Sequence, residues 1–318
     1  MKVLCTIIVT AVVAWGGAIG HAQKVKVVMQ RHDGAQATYT HFFTTRFKSD
    51  RSDLLTSANS QVGGQDGNIR NEDVEVEVTG EWRSRETTSD REDASEGRGE
   101  WLVTAKLFEA DSRATVNGDK LGYEKYPFSF EQLKNREFTF ELHSTQGPSL
   151  LRPGFRVYQL REREDIVTDV SLIWASGISP TFPNHAVGKG DTWEGTQKLS
   201  FPFYALEATA TEAQINVKST YVVKKVKKGG KILEIEEERE IDYLGWTETS
   251  SLSVMIRGLG KGKAKWEIDT ENGIVNKCEY QQFVDRPEIS NYGKDRVLEE
   301  ARAEYSVVYS RKLSKFKK

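Results

Sequence analysis

"INVKSTYVVKKVKKGGKILEIEEEREIDYLGW", residues 215–246, decides the fold class. Two runs alternate residue character with a period of two, the period at which strand side chains share one face of a sheet. Between them stands Lys228-Gly229-Gly230, a turn-forming group, so the stretch reads as an antiparallel hairpin. In its second half Glu234, Glu236, Glu238, Glu240 and Asp242 fall on one face. Like charges in a row repel, so that face belongs in water, beside the lysines of "VVKKVKK".

The same device recurs outward in both directions. "KAKWEIDTENGIVNKCEYQQFVD" (263–285) turns at Asn272-Gly273, the strongest short-range hairpin signal. "DVEVEVTGEWRS" (73–84) and "GEWLVTAKLFEA" (99–110) alternate cleanly and flank a charged segment, "TSDREDASEGR" (88–98), which predicts a long-looped hairpin. "EFTFELHSTQGPSLL" (137–151) places Phe138, Phe140 and Leu142 on one face before a turn at Gln146-Gly147-Pro148. "ARAEYSVVYSRKL" (301–313) aligns Ala301, Ala303, Tyr305, Val307 and Tyr309 as a closing strand. The count comes to about ten or more antiparallel strands.

One helix interrupts them. In "REREDIVTDVSLIWASG" (161–177), Ile166, Val170, Ile173 and Trp174 recur at helical spacing, with Glu164 and Asp165 suited to the start and Gly177 to the stop. A second, shorter helix is expected from Ser129 in "SFEQLKN", with Ser129 as cap and Gln132 three residues on. Residues 50–71 carry the least pattern and, like 88–98, read as mobile loops. No linker divides the chain.

Residues 1–22 open with Lys2, run apolar from Val3 to Ile19 and close on Gly20-His21-Ala22. A basic start, a short apolar run and a small-x-small site predict a secretory signal peptide cut after Ala22. The expected location is therefore outside the cytoplasm, periplasmic or extracellular, with no membrane span left after cleavage. Cys278 is then the one cysteine of the mature chain, so stability must come from a core and not from an internal disulfide. The formal charge of -2 for the whole chain argues against a nucleic-acid partner.

The stretch most like an active site is "FPNHAVGKGDTWEG" (182–195), with His185, Asp191 and Trp193. A catalytic His–Asp pair needs a nucleophile or a metal partner, with the carboxylate orienting the imidazole. Gly188 and Gly190 permit a tight reversal, Asp191 suits the backbone N–H groups of that turn, and Trp193 begins a strand. The mature histidines His32, His41, His143 and His185 show no metal-binding spacing. "DGNIRNED" (66–73) lacks the glycine and glutamate of a calcium loop. Cys278, in phase with Ile274 and Tyr280, reads as a buried small hydrophobe. No nucleophile elbow, phosphate loop or dinucleotide fingerprint occurs, so neither catalytic residues nor a cofactor are expected.

Taken in order, "GAQATYTHFF", "FTFELHSTQG", the helix with Trp174, "FPNHAVGKGDTW" and "GLGKGKAKWEIDTENGIVNK" resemble an exported bacterial family of unknown function akin to the lipoprotein-carrier (LolA/LppX-like) half-barrel. The "P…VGDTW" pattern falls on Pro183, Val187, Gly190, Asp191, Thr192 and Trp193, and "D-x-x-x-G" on Asp269 and Gly273. The resemblance implies a mainly β (α+β) fold: one domain over 23–318, a curved antiparallel half-barrel wrapped over one or two helices. A concave apolar face suits a lipid or other hydrophobic small molecule, and Trp101, Phe108, Phe138, Phe140, Trp174 and Trp266 are the candidate lining residues. The alternative is an envelope interaction module without a small ligand. A hydrolase rests only on scattered carboxylates.

Overall fold

The computed structural model describes residues 24–27, 32–49, 74–91, 100–116, 119–120, 130–154, 170–171, 173–174, 176–203, 211–248, 253–293 and 296–318. The expected signal peptide (1–22), the loop at 50–71, the segment 66–73 and the first half of the expected helix, 161–169, lie outside the described residues.

Among the described residues twelve strands form one sheet: β1 (Gln36–Ser49), β2 (Val74–Asp90), β3 (Trp101–Val116), β4 (Asp119–Lys120), β5 (Glu137–His143), β6 (Gly147–Pro153), β7 (Thr192–Phe203), β8 (Thr211–Lys227), β9 (Ile232–Glu248), β10 (Ser253–Asp269), β11 (Ile274–Gly293) and β12 (Arg296–Lys317). Their order is β2-β1-β12-β11-β10-β9-β8-β7-β6-β5-β3-β4, and β2 also pairs with β3. That extra pairing makes the half-barrel expectation too open. The sheet closes on itself as an eleven-stranded barrel, with β4 as a flap on β3. Closure removes two long edges whose N–H and C=O groups would otherwise lack partners.

Two hairpins stand where the turns predict them: β8 meets β9 across Lys228–Gly230 and β10 meets β11 across Thr270–Gly273. The third turns earlier than expected, at Ser144–Gln146, and Gly147 and Pro148 already belong to β6, opposite His143 and Leu142. β2 pairs with β3 from Val76 opposite Val116 to Asp90 opposite Trp101. Thr88–Asp90, expected in a loop, extend β2, and 92–98 lie outside the described residues.

One join differs from the rest. β6 and β7 run parallel and share the single pair Leu150–Ser200. A parallel pair requires a crossover connection, and every described residue of this one between 170 and 183 is buried. Val170, Ser171, Ile173 and Trp174 take helical conformation, and Val170, Ile173 and Trp174 are buried in the core. The expected apolar face therefore meets the inside of a closed wall instead of lying across an open sheet. Ile166 lies outside the described residues.

The second expected helix is only a 3-10 turn, Phe130–Leu133. Just after it, Asn135 donates to Leu107 O at 2.6 Å and Leu107 donates to Arg136 O at 2.9 Å. Backbone pairing to β3 captures the chain before a second helical turn can form. Among the described residues no helix is long and apolar enough to cross a membrane.

Candidate ligand-binding site

The inward face is set by phase. On β9, Leu233, Ile235, Glu237, Arg239, Ile241 and Tyr243 are buried, while the alternating acids Glu234, Glu236, Glu238, Glu240 and Asp242 face out. The expected solvated ladder is thus present. Lys225 and Lys227 pair with Glu234, Lys224 with Glu236 at 2.9 Å, and Lys263 with Glu238 at 3.3 Å.

Across the inside of the wall the register aligns Trp82, His41, Arg311, Cys278, Trp266 and Ile235 as successive cross-strand partners. Two buried ion pairs belong to this belt. Arg311 Nη2 donates to Glu86 Oε1 at 2.7 Å, with both side chains fully enclosed, and its guanidinium lies 3.5 Å from the Tyr39 ring centre. Arg239 reaches both oxygens of Glu237 at 2.9 Å, and the same carboxylate accepts Trp266 Nε1–H and Ser219 Oγ–H, each at 2.6 Å. Burial works against both arginine charges, and the facing carboxylates more than offset it.

His41 is fully enclosed. Its Nδ1 lies 2.7 Å from Tyr309 Oη and its Nε2 lies 2.8 Å from Ser84 Oγ. Burial, reinforced by Arg311, holds its pKa well below the usual imidazole value. Burial pushes the Cys278 thiol far up and Tyr221 up to about 12.

Described residues of the crossover pack into the space these residues surround. Trp174 packs within 5.6–6.3 Å of the rings of His41, Trp82, Phe138 and Phe140. Tyr280 donates to Ile173 O, Arg311 Nη1 to Ile178 O at 3.3 Å, and Trp193 Nε1 to Thr181 O at 3.1 Å. The Thr181 N–H donates to Tyr221 Oη at 3.2 Å. At Gly177 a Cβ would strike the Tyr309 ring, and at Gly195 it would strike Thr181 Oγ1. Both glycines permit a contact between plug and wall that no larger residue could make.

Of the six candidate lining residues, Phe138, Phe140 and Trp174 come together inside the barrel, and Trp101 packs half-buried against the core. Trp266 is inside but belongs to the Glu237–Arg239 group. Phe108 is placed otherwise: it is on the outer face, beneath Arg83 and Arg85 at 5.1 and 5.9 Å. It is out of phase with Val103, Ala105 and Leu107, the buried residues of the same strand, so strand alternation itself sends it outward. Cys278 is buried as expected. The 182–195 stretch is a turn: Asp191 Oδ2 accepts the Gly188 N–H at 3.0 Å, that bond lowers the Asp191 pKa, and His185 is exposed.

The outer wall has a groove of about 610 Å³ crossing β9, β10, β11, β12 and β1. Phe42, Thr44 and Val308 line one part of it; Lys263, Lys265, Glu236, Glu238 and Glu279 line the other. Phe42 and Val308 are each 49% exposed, and they begin a longer feature. Phe42, Val308, Phe283, Leu259 and Leu244 are exposed large hydrophobics on five adjacent strands. Each is displaced by two residues from the register position of the last: Phe42 faces Ser310, Val308 faces Gln281, Phe283 faces Lys261, and Leu259 faces Asp242. They make one diagonal across the outside of the barrel.

Fold and site together define a closed β-barrel with part of its crossover packed inside and, on its outer wall, a groove that is apolar on one side and charged on the other. No family model matches the chain, and no curated protein does. Among solved structures, a lipovitellin structure titled for its lipid–protein interactions is 9% identical over 91% of this chain, with a TM-score of 0.45. The match spans 26% of the lipovitellin chain. An acetoacetate decarboxylase-like enzyme from Sphingomonas wittichii RW1 is 13% identical, covering 90% of this chain and 92% of its own, with a TM-score of 0.13. At these scores neither likeness carries weight for fold or function.

Proposed function

We propose that this protein is an exported, non-catalytic binding barrel that holds the apolar chain of a small amphiphile in its outer groove. The observation that carries the reading is the coincidence of a groove of about 610 Å³ with the Phe42–Val308 start of the exposed diagonal. Ligand sites commonly enclose about 300–1,000 Å³, and the lumen is already occupied by the crossover. A non-catalytic role is supported by the state of the reactive groups: both His41 nitrogens are engaged by hydroxyls, and Cys278 is enclosed with a raised pKa.

The test is titration of the purified protein with a fluorescent single-chain fatty acid, with Phe42→Asp and Val308→Asp as variants. Both positions are half exposed, so the thermal midpoint should hold while affinity falls at least tenfold. A second reading places the ligand in the lumen, against Trp101, Phe138, Phe140, Trp174 and Trp266. The indole N–H groups of Trp82 and Trp174, which find no hydrogen-bond partner among the described residues, favour it. On that reading the two aspartate variants bind as well as the parent. If no apolar chain is retained at all, the diagonal passes to a protein partner.

A further inference from the structure

We infer that the amphiphile held in the groove carries a dipolar head, with a positive and a negative group, and that this head lies among Lys263, Lys265, Glu238 and Glu279. The inference rests on the outer-groove reading above.

The groove has two unlike halves. Phe42 and Val308 supply an apolar half, and the charged half alternates in sign from strand to strand. Lys265 stands directly opposite Glu236 on β9 and Glu279 on β11, while Lys263 faces Glu238. The rims add compensation from outside: Lys224 holds Glu236 at 2.9 Å and Lys277 holds Glu279 at 2.6 Å. Net charge over this half is close to zero, and opposite signs sit on neighbouring strands, ~4.8 Å apart.

A head of one sign gains at each residue of opposite charge and loses at the next, because a like charge lies one strand away. A head that carries both signs on adjacent groups meets an opposite charge at each end. The apolar half fixes direction, since only the chain can cover Phe42 and Val308. Because the charged side chains are largely in water, the preference should weaken as salt rises.

The experiment compares three amphiphiles of one chain length, each below its micelle concentration, by calorimetry or native mass spectrometry: dodecylphosphocholine, laurate and dodecyltrimethylammonium. The dipolar compound is expected to bind at least tenfold more tightly than either singly charged one. Lys265→Glu should move the preference toward the ammonium compound, and Glu238→Lys toward laurate. Lys263 and Glu238 are 78% and 75% exposed, so charge reversal at Glu238 leaves the fold intact, which an unchanged thermal midpoint confirms. Equal affinity for all three, or a preference that survives both reversals, overturns the dipolar head while chain binding stands. Binding of none of them overturns the outer-groove reading and this inference with it.

Discussion

His41 sits where protonation is disfavoured. It is enclosed, it lies near the Arg311 charge, and its folded-state pKa is well below 6.5. In the unfolded chain it titrates near that ordinary value. Below pH 6.5 the unfolded state therefore binds a proton that the folded state refuses, and linkage makes folding less favourable as acid is added. Stability from this residue is complete above pH 6.5 and declines below it, by up to about 1.4 kcal/mol per pH unit while the folded form stays neutral. Urea midpoints measured from pH 7 to pH 5 should fall accordingly, and the His41→Gln variant should show a flatter dependence. A variant slope equal to that of the parent would assign the acid sensitivity elsewhere. The buried charges were open to sequence reading in the same way. Glu237 and Arg239 share the phase of Ile235 and Ile241, Glu86 that of Trp82, and Arg311 that of Tyr309. Attention to the conspicuous acids of the opposite phase hides them, and nothing in the sequence says which charge pairs with which.

At the level of elements, the crossover is the part most sensitive to size. Gly195 on β7 lies against Thr181 of the plug so closely that a methyl group cannot fit. Overpacking of this kind costs about 1–3 kcal/mol, so Gly195→Ala should lower the thermal midpoint by several degrees. Adding Thr181→Ala, which removes the atom that is struck, should recover part of the loss. Simple additivity of the two changes would show that the plug does not press on β7 as described. Strands and their hairpins were legible because turn chemistry is local: Asn272-Gly273 and Lys228-Gly229-Gly230 each mark the tip they occupy. The expected helix at Ser129 failed because pairing of Leu107 with Asn135 and Arg136 outweighs a weak local preference. The place of Trp174 was not legible, since helical spacing shows which side is apolar but not what covers it.

Taken whole, the molecule is held by contacts that skip across the chain. Arg311 on β12 binds Glu86 on β2, 225 residues away, and also holds the plug at Ile178 O. Arg311→Met breaks this buried pair from one side, which typically costs about 3–5 kcal/mol. Replacing both, Glu86→Leu with Arg311→Met, should restore most of that stability in chemical denaturation. If the single and double variants unfold alike, the ion pair is not what the barrel depends on there. Closure itself was the part of the architecture that sequence could not disclose. Alternation shows that each strand has a wet and a dry side, and it is the same for an open sheet as for a ring.

The pairing of β1 with β12 joins Gln36 to Lys317 and Ser49 to Ala303, and so sets an order in time. The wall cannot be completed until its last strand is available, and before then β1 and β11 present bare margins to the solvent. Long-range pairing of this kind slows folding and leaves intermediates prone to self-association. An intermediate in which β12 has not yet docked is therefore the most vulnerable, and a chaperone that shields those margins would help it most.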